Sequence, residues 1–486
     1  MSKELYLEKL KESMKEKLKS IWEEVLEKDN IDYKDNYFLI GGNSLNAIKI
    51  IKKIQEVIGY DKEIPLTYIF SFPTIEKFVD EIFDPEEVNR KTFNITSKQL
   101  ESEVELDLES IKYTGNYKLE SCLLTGSSGY LGGYILRELL NQTKMEIYCL
   151  VRGKSKEDAE KKIHANLSKF NILNNELKRI HIVLGDFSKK NMGIEEEEYY
   201  ELSKKIDCVY HNGALVHFLY SYKELKQSNV EGTKEIINFA VANKVKPLFY
   251  VSTISIFSRF GKKNPNIFES DDIEDSGILP IGYTQSKWVA EGLIWKAKEK
   301  GLPVMVFRIG HVIGDSVTGE CHSDDFVFRI IKSVLDVHGY PDIDGKIEPI
   351  TVDDVAKVIV AISGRSNNLG QAYHLINPKP VYFNEMIDWA ESKGIILQPI
   401  SKNQWVKEVE NLDRISAILP FIKFFDDQLW DVSKQINFSV ENTKRALEEV
   451  GLTIQPISKT IIERHYNYLK DKGELDTREL YNSGVI

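Results

Sequence analysis

The spacing of apolar residues predicts helices over the first eighty or so positions. Between residues 5 and 26, apolar side chains recur every three or four positions among Lys and Glu, at Leu7, Leu10, Met14, Leu18, Ile21, Trp22 and Val25. The same spacing returns over residues 45–54 and again over 75–82. Side chains at this spacing share one face of an α-helix. The pattern therefore predicts a small all-α unit over residues 1–84, with about four helices packed as a bundle.

Beyond residue 117, short apolar runs alternate with helical segments. The runs typical of strands are residues 121–125, 146–151, 181–185, 208–211, 247–253 and 304–310. This alternation predicts an α/β fold with a Rossmann-type parallel sheet, whose ligands bind beyond the carboxyl ends of the strands. We assign residues 118–486 to this unit, with a nucleotide-binding core over about 118–377 and a smaller C-terminal substrate or lid region over about 378–486. The polar residues 85–117 are predicted to be a linker.

Composition narrows the class of protein. The chain has 486 residues, 42% hydrophobic and 29% charged, which is the balance of folded globular domains. A formal net charge of −11 argues against nucleic-acid binding through bulk positive charge. The four cysteines form no CxxC pair, so no metal site and no disulfide framework is predicted. No apolar run resembles a signal peptide or a membrane span, so we expect a cytoplasmic protein without a membrane partner.

Ser44 stands where the second predicted helix begins, after Gly41, Gly42 and Asn43. The free N–H groups at a helix N-terminus favour a phosphate, but serine is also among the best N-cap residues, and spacing alone favours that plainer role. The longer string DNYFLIGGNSL resembles the attachment signature of peptidyl carrier proteins from nonribosomal peptide synthetases, over about residues 5–84. This resemblance implies that Ser44 carries a 4′-phosphopantetheine arm, added by a phosphopantetheinyl transferase. The family often has His or Asp at Asn43, a difference that we expect to tune recognition by that transferase.

A second glycine-rich turn follows the first predicted strand. Gly126, Gly129 and Gly132 lie between that strand and a helix. Glycines at such a turn permit close approach of a pyrophosphate to the helix N-terminus. We predict dinucleotide binding at this turn, and the alternative is a turn whose glycines serve only packing.

The end of the second predicted strand bears on the choice of cofactor. Arg152 stands there, 20 residues after Gly132. A guanidinium suits the 2′-phosphate of NADPH, whereas an NADH enzyme usually has a carboxylate there. Lys161 or Lys162 offers a second positive charge, although a solvated helix face is the plainer interpretation for both. Asp186, after the third strand, is a candidate for the adenine amino group.

Tyr283 and Lys287 are the candidate acid–base pair. They are four residues apart, so on a helix they share one face. A free phenol has a pKa of about 10, and a nearby ammonium is expected to lower it. Y-x-x-x-K is frequent by chance, but here it lies between the fifth and sixth predicted strands. Thr253, which closes the fifth strand, is our candidate for hydrogen bonding a substrate carbonyl, with Ser252 and Ser255 as rivals.

Several strings resemble, in order, the terminal thioester reductase domains of nonribosomal peptide synthetases, which are extended short-chain dehydrogenase/reductases. They are TGSSGYLGG, CLVRGKS, GDFS, HNGALVHFLYSYKELKQSNVEGT, YVSTIS, GYTQSKWVAE and FRIGHVIGDSVTG. The resemblance implies a triad of Thr253, Tyr283 and Lys287. Besides Arg152, Tyr283 and Lys287, the residues that it places around NADPH are Thr125, Gly126, Ser128, Gly129, Tyr130, Leu131, Asn212, Gly213, Ala214, Ile309, Gly310 and Val312. Asn229 is expected to buttress a helix.

Carrier and reductase together imply one activity: NADPH-dependent release of a tethered peptidyl or aminoacyl thioester as an aldehyde, or as an alcohol after a second hydride. Upstream synthetase modules or an enzyme acting in trans would load the arm, and the chain could be a piece of a longer synthetase. A covalently supplied substrate removes the need for a dimer, so we expect a monomer. Three alternatives stay open: an extended dehydrogenase, dehydratase or epimerase acting on nucleotide sugars, a non-redox domain that releases its chain by cyclisation, and a non-enzymatic docking module.

Overall fold

The computed structural model describes residues 3–58, 69, 72–82, 97–113, 119–170, 172, 174–218, 220–257, 265–276, 279, 281–322, 325–341, 346–382, 385, 387–388, 397–410, 418 and 436–473. Its α-helices are α1 (Lys3–Leu26), α2 (Ser44–Ile58), α3 (Ile75–Ile82), α4 (Ser97–Glu103), α5 (Tyr130–Gln142), α6 (Lys156–Leu167), α7 (Asn174–Leu177), α8 (Glu196–Lys205), α9 (Tyr222–Lys226), α10 (Gly232–Val241), α11 (Gly282–Glu299), α12 (Phe326–Val337), α13 (Val352–Ser363), α14 (Lys402–Glu410), α15 (Glu441–Val450) and α16 (Lys459–Asp471). Its strands are β1 (Ser121–Thr125), β2 (Glu146–Val151), β3 (Ile180–Leu184), β4 (Cys208–His211), β5 (Leu248–Thr253), β6 (Asn266–Ile267), β7 (Val304–Ile309), β8 (His311–Ile313), β9 (Gly339–Pro341), β10 (Lys346–Ile347), β11 (Pro349–Thr351), β12 (Ala372–Leu375), β13 (Val381–Tyr382), β14 (Gln398–Ile400) and β15 (Asn437–Phe438).

The N-terminal helices pack around one apolar core, as the spacing of apolar residues predicts. Trp22 on α1, Tyr37 on the following loop and Phe78 on α3 are completely buried in it. The rings of Trp22 and Tyr37 meet edge-on, with centroids 5.0 Å apart. The prediction of about four helices gave no position for the remaining one, and between α2 and α3 the structure describes, of residues 59–71, only Ile69, in a helical conformation.

Seven parallel strands form the main sheet, in the order β12-β7-β5-β4-β1-β2-β3. The prediction of a parallel Rossmann-type sheet is therefore confirmed. Strand β12 was not predicted, because four residues are too few to give a recognisable strand pattern in the sequence. The strand order reverses between β1 and β4, where Thr125 lies opposite His211. Ligands of open α/β sheets bind at such a reversal, outside the carboxyl ends of the strands.

Helices cover both faces of this sheet. On one face, α10 and α11 bury Ile236, Phe239 and Leu293 against the strands. On the other face, α5 and α13 do the same with Tyr134 and Val355. Strands that are buried on both faces have near-continuous apolar sequences, which explains runs such as SCLLT and VMVF.

Part of the segment that we predicted as a linker packs on the nucleotide-binding unit. Leu100, on α4, is buried in the core beside α11. Glu103 pairs with Lys226 at 2.7 Å, and the amide of Ile111 donates to the carbonyl oxygen of Lys300 at 2.6 Å. Residues 97–113 therefore form an extension of this unit. Within the segment 85–117, the structure describes only these residues.

The C-terminal region forms a separate apolar cluster beside the sheet. Phe328 on α12, Trp405 on α14 and Leu469 on α16 are buried in it. Across all described residues, no helix has the length and hydrophobicity that crossing a bilayer requires.

Candidate active site and carrier attachment site

Close backbone contacts shape the glycine turn after β1. Gly126 has a φ of +73°, and a Cβ at Gly132 would lie 1.9 Å from the carbonyl oxygen of Gly126. Close packing of the backbone is thus one reason for glycine in this turn, as the alternative interpretation of the turn proposed. Gly129 is the N-cap residue of α5 and has no side chain, so the first N–H groups of this helix have no side-chain acceptor at the cap. A helix start of this kind is what a pyrophosphate needs.

The other residues of the turn differ in how they face solvent. Ser128 and Gly129 are exposed at its tip, and Tyr130 and Leu131 are partly exposed at the start of α5. The hydroxyl of Tyr130 donates to the carbonyl oxygen of Glu320 at 2.8 Å, which ties the turn to the loop before α12.

Thr125 does not present its hydroxyl to the turn. It is fully buried, its Oγ1 accepts a hydrogen bond from the amide of Gly213 at 2.9 Å, and Nδ1 of His211 lies 2.9 Å away. The Thr125 hydroxyl thus makes structural hydrogen bonds, and the contact with the cofactor that the resemblance implied for this residue stays a prediction. This hydroxyl joins the ends of β1 and β4 and fixes the loop of Asn212, Gly213 and Ala214.

Arg152 is exposed directly after β2, at the predicted edge of the sheet. The ammonium of Lys162 donates to the carbonyl oxygen of Arg152 and to the carboxylate of Asp158, both at 2.9 Å. Of the two lysines considered, Lys162 is thus the one held beside Arg152. Asp186 lies after the neighbouring β3, where one of its oxygens accepts from the amide and the hydroxyl of Ser188.

Two contacts attach the loop after β4 to helix α11. The amide group of Asn229 bonds to the backbone of Leu215 on both its donor and acceptor sides, and its Nδ2 donates to Ser286 Oγ at 3.0 Å. Asn229 therefore buttresses α11, as expected. At the start of α11, a Cβ on Gly282 would lie 2.3 Å from the carbonyl oxygen of Tyr220, so only glycine fits.

Tyr283 and Lys287 lie on the face of α11 that meets β5. The ammonium of Lys287 donates to the carbonyl oxygen of Val251 at 2.8 Å and lies 4.2 Å from the ring centre of Tyr250. Thr253, two residues further along β5, is 7% exposed, and its hydroxyl donates to Ser255 Oγ at 3.2 Å. Lys287 is thus anchored to β5 two residues before Thr253, and Tyr283 lies one turn before Lys287 on α11.

The electrostatics of this pair differ from the expectation. Burial raises the pKa of Tyr283 to about 12, instead of the predicted lowering by Lys287. Burial also lowers the pKa of Lys287 to about 7, against an opposing contribution from the carboxylate of Glu291. The cause is desolvation, which penalises the charged form of each of these buried side chains.

A buried network that we did not predict lies below the pair. Glu291 is completely buried on α11, and it accepts from Ser252 Oγ at 2.5 Å, from Trp295 Nε1 at 3.0 Å and from Arg308 Nε at 2.9 Å. Ser252 therefore points into the interior, which removes it as a rival of Thr253. Two signals were available: Glu291 is four residues after Lys287, and Arg308 interrupts an apolar strand.

One of the predicted nicotinamide residues lies beside Thr253. Ile309, at the end of β7, is its partner in the sheet register. A Cβ at Gly310 would lie 2.4 Å from the carbonyl oxygen of Glu348, and Val312, partly exposed on β8, pairs with Ile350. Val312 thus belongs to a separate two-stranded sheet of β8 and β11, which begins two residues after β7 ends.

An apolar cavity of about 60 Å³ begins at the end of β8. Its walls come from β8, α12, α16 and nearby loops, and include Ile313, Phe328, Ile331, Ile457, Ile462 and Leu469. Asp325, Cys321 and His465 also line it. The first of its wall residues, Ile313 and Gly314, follow directly after Val312 in the chain.

Ser44 is the first residue of α2, and the preceding turn is built for this position. Gly41 has a φ of +97°, and a Cβ at Gly42 would lie 2.5 Å from the ring of Tyr37. Oδ1 of Asn43 accepts from the amide of Asn46 at 2.9 Å. Asn43 thus caps α2, and the plainer role of Ser44 as the N-cap is filled by its neighbour.

Two family models match the chain, one in each unit. The model described as Phosphopantetheine attachment site matches residues 16–82, and the model described as Male sterility protein matches residues 124–359. The two matches fall on the helical unit with Ser44 and on the sheet with Tyr283.

Curated relatives share most of this chain but are much longer. It is 34% identical over 469 residues to a linear gramicidin synthase of Brevibacillus parabrevis, which covers 93% of this chain and 9% of that protein. It is 30% identical over 455 residues to L-2-aminoadipate reductase of Saccharomyces cerevisiae, which covers 85% of this chain and 32% of that protein. The chain thus spans about a tenth to a third of these relatives.

Solved structures resemble it over nearly their full length. The terminal R domain from the myxalamid PKS-NRPS biosynthetic pathway is 35% identical with a TM-score of 0.71, covering 78% of this chain and 98% of that one. A thiolation–reductase di-domain from an archaeal nonribosomal peptide synthetase is 22% identical with a TM-score of 0.70, covering 96% and 98%. The second likeness shows that the same fold arrangement extends over both units.

Proposed function

Because this chain belongs to the family of terminal reductase domains of nonribosomal peptide synthetases, here joined to a carrier, we propose that it releases a carrier-tethered peptidyl or aminoacyl thioester by NADPH-dependent reduction. The observation that supports the proposal is the hydrogen bond that anchors Lys287, one turn after Tyr283 on α11, to the strand that ends in Thr253, in a chain that also has Ser44 at the start of α2. The product is an aldehyde, with an alcohol as the result of a second reduction.

NADPH fits the residues at this edge of the sheet. The uncapped start of α5 and the turn from Gly126 to Leu131 suit the pyrophosphate, and Arg152 with Lys162 suits the 2′-phosphate. We assign Asp186 and the loop 212–214 to the adenosine side, and Ile309, Gly310 and Val312 to the nicotinamide side. When bound, NADPH supplies the hydride that the thioester carbonyl carbon accepts.

Tyr283 supplies the proton of the reaction. Because burial raises its pKa to about 12, the phenol is protonated at neutral pH and able to donate to the oxygen on which negative charge develops. One thioester, one hydride and this proton give one aldehyde and one thiol, so the overall change balances. Thr253 donates a second hydrogen bond to the same oxygen, in exchange for its present bond to Ser255.

Lys287 is proposed to bind the nicotinamide ribose through its ammonium group. It is already held toward the end of β5 by its hydrogen bond to Val251. The bound cofactor carries negative charge, which would raise the lowered pKa of Lys287 and keep it protonated.

The partners follow from the attachment site. A phosphopantetheinyl transferase would modify Ser44, and upstream synthetase modules or an enzyme acting in trans would load the arm. The last carrier helix ends at Ile82, and the helix that packs on the reductase begins at Ser97. This short connection lets the tethered substrate reach the cleft at high effective concentration. The apolar cavity after β8 would hold the nonpolar part of the acyl group.

The test uses the full chain with acyl-pantetheine and with an acyl group loaded on Ser44. NADPH oxidation and the product mass are compared for wild type, Tyr283→Phe and the control Tyr200→Phe, which alters an exposed tyrosine on α8. We expect an aldehyde or alcohol from wild type and the control only. A cyclised product without oxidation of NADPH, or turnover of a free nucleotide sugar, would contradict the proposal.

A further inference from the structure

An aromatic cluster joins the carrier to the reductase six residues before the attachment serine. The ring of Phe38 lies edge-on to that of Tyr220, with centroids 5.1 Å apart, and 6.1 Å from that of His217. His217 and Tyr220 stack on each other at 3.8 Å with an angle of 23° between their planes. Tyr220 also packs against the apolar core of the carrier. The loop after β4 thus offers a stacked aromatic pair, and one carrier side chain contacts it.

The position of Phe38 is fixed from within the carrier. Its ring meets that of the buried Tyr37 at 4.9 Å, and the Tyr37 hydroxyl donates to the carbonyl oxygen of Asn43, next to Ser44. Phe38 and the residue before the attachment serine therefore belong to one hydrogen-bonded turn. A contact that places Phe38 also places the start of α2.

The electrostatics agree with a close approach of the two units here. Burial lowers the pKa of His217 to about 4, so it is neutral at neutral pH and stacks without a charge to desolvate. Burial raises the pKa of Glu224, at the start of α9, and the charge of Lys77 on carrier helix α3 opposes that rise. Two carrier elements, the turn and α3, thus face the same stretch of the reductase.

The same loop also touches the catalytic helix. Phe218, between the two stacked rings in sequence, lies 5.4 Å from the ring of Tyr283 and packs against the apolar cluster of the C-terminal region. The carbonyl oxygen of Tyr220 occupies the space that only a glycine at position 282 leaves open. Neighbouring side chains of this loop therefore contact the carrier on one side and the proton donor on the other.

We propose that His217 and Tyr220 form the docking surface for the chain's own carrier, and that Phe38 is the carrier residue that binds to it. Phe218, in the same loop, contacts Tyr283, so that one loop supports both the docked carrier and the proton donor. This inference rests on the proposed function for its meaning, since it states where the loaded carrier delivers its thioester. The partner is residues 3–82 of the same chain, recognised through an aromatic edge beside the attachment turn.

The first experiment compares two ways of supplying the substrate to the full chain. Phe38→Ala should slow single-turnover reduction of an acyl group loaded on Ser44 by about tenfold, the equivalent of two lost aromatic contacts. Turnover of free acyl-pantetheine should stay unchanged, because that substrate needs no docking. Leu39→Ala is the matched control, since Leu39 is adjacent but 87% exposed. Loading of Ser44, followed by mass, shows that each variant carrier is folded.

A second measurement decides the inference even if neither substrate is reduced. Hydrogen–deuterium exchange of the unloaded full chain should show faster exchange at residues 215–222 in Phe38→Ala than in wild type or Leu39→Ala. Tyr220→Ala should slow reduction of the tethered substrate to the same extent, and the double variant should lose no more. Unchanged exchange, or equal slowing of free and tethered substrates, would overturn the docking assignment. Absence of reduction with altered exchange would instead overturn the proposed function alone.

Discussion

Glu291 and Arg308 form a doubly bonded, completely buried ion pair, with the carboxylate oxygen 2.9 Å from Nε and 2.8 Å from the terminal nitrogen of the guanidinium. Glu291 is four residues after Lys287 on α11, and the same carboxylate accepts from Ser252, next to Thr253. The pair thus connects the helix that carries Tyr283 to the neighbouring strands β5 and β7. It is a positioning element for the site.

Replacing Glu291 by Gln should destabilise the reductase unit by about 3 kcal/mol, because Arg308 is left as a buried charge without its counter-ion. Urea unfolding measures this loss. The control is Glu201→Gln, which removes an exposed partner of Lys204 and should change the free energy of unfolding far less, because solvent screens the pair. Equal losses of unfolding free energy for the two substitutions would show that the buried ion pair stabilises the protein no more than the exposed one does.

The titration of Lys287 should make stability depend on pH in a predictable direction. Its pKa is lowered by burial from 10.5 to about 7, so between these values the unfolded chain binds more protons than the folded one. The stability of wild type relative to Lys287→Met should therefore rise as pH increases from about 7 toward 10. Lys246, whose pKa burial also lowers to about 7, is present in both proteins and cancels in the difference. A flat difference across this range would contradict the shift.

Cofactor preference should depend on Arg152. Arg152→Ala should raise the KM for NADPH about ten- to a hundredfold and leave the KM for NADH nearly unchanged, because a charge-assisted contact with the 2′-phosphate is lost. Lys162→Ala should have a smaller effect of the same kind, since Lys162 is held beside Arg152. Lys161→Ala is the control on the same helix and should not discriminate between cofactors. Steady-state kinetics with both cofactors measures each case.

The cavity beside α12 and α16 predicts a preference for nonpolar acyl groups. With free acyl-pantetheines, kcat/KM should rise about fourfold for each added methylene until the cavity is filled. Ile331→Phe, which fills part of the cavity, should reverse this rise for the longer chains. Ile182→Phe, on β3 at the far end of the sheet, serves as the control. An acyl group ending in a carboxylate that reacts as fast as its methyl counterpart would argue against an apolar acyl site.

Ser44 and Asn43 should separate attachment from helix stability. Ser44→Ala should prevent loading by a phosphopantetheinyl transferase and leave the exchange rates of amides in α2 unchanged. Asn43→Ala should destabilise α2 by about 1 kcal/mol, because the side chain that caps the helix is lost. Mass analysis and local hydrogen exchange measure the two effects. A destabilised α2 in Ser44→Ala would assign the cap to the serine.

The elements that carry the site were predictable because their signals are local. The interval between Tyr283 and Lys287 requires only a helix, the turn at Gly126–Gly132 only a strand followed by a helix, and Ser44 only a glycine pair before a helix. Local signals were misleading for residues 97–113, which we predicted as part of a linker because they are polar and weakly periodic. Their sequence does not show that Leu100 is buried beside α11.

What the sequence by itself determined is therefore the set of elements and the chemistry-bearing residues at their ends. Only the tertiary structure decided which of these residues face one another. It turned the Thr125 hydroxyl inward to Gly213, raised the pKa of Tyr283 by burial, and brought Phe38 to Tyr220 across 182 positions of chain. The physical reason is that periodicity specifies a residue's direction within its own element, whereas burial and contact depend on how distant elements pack.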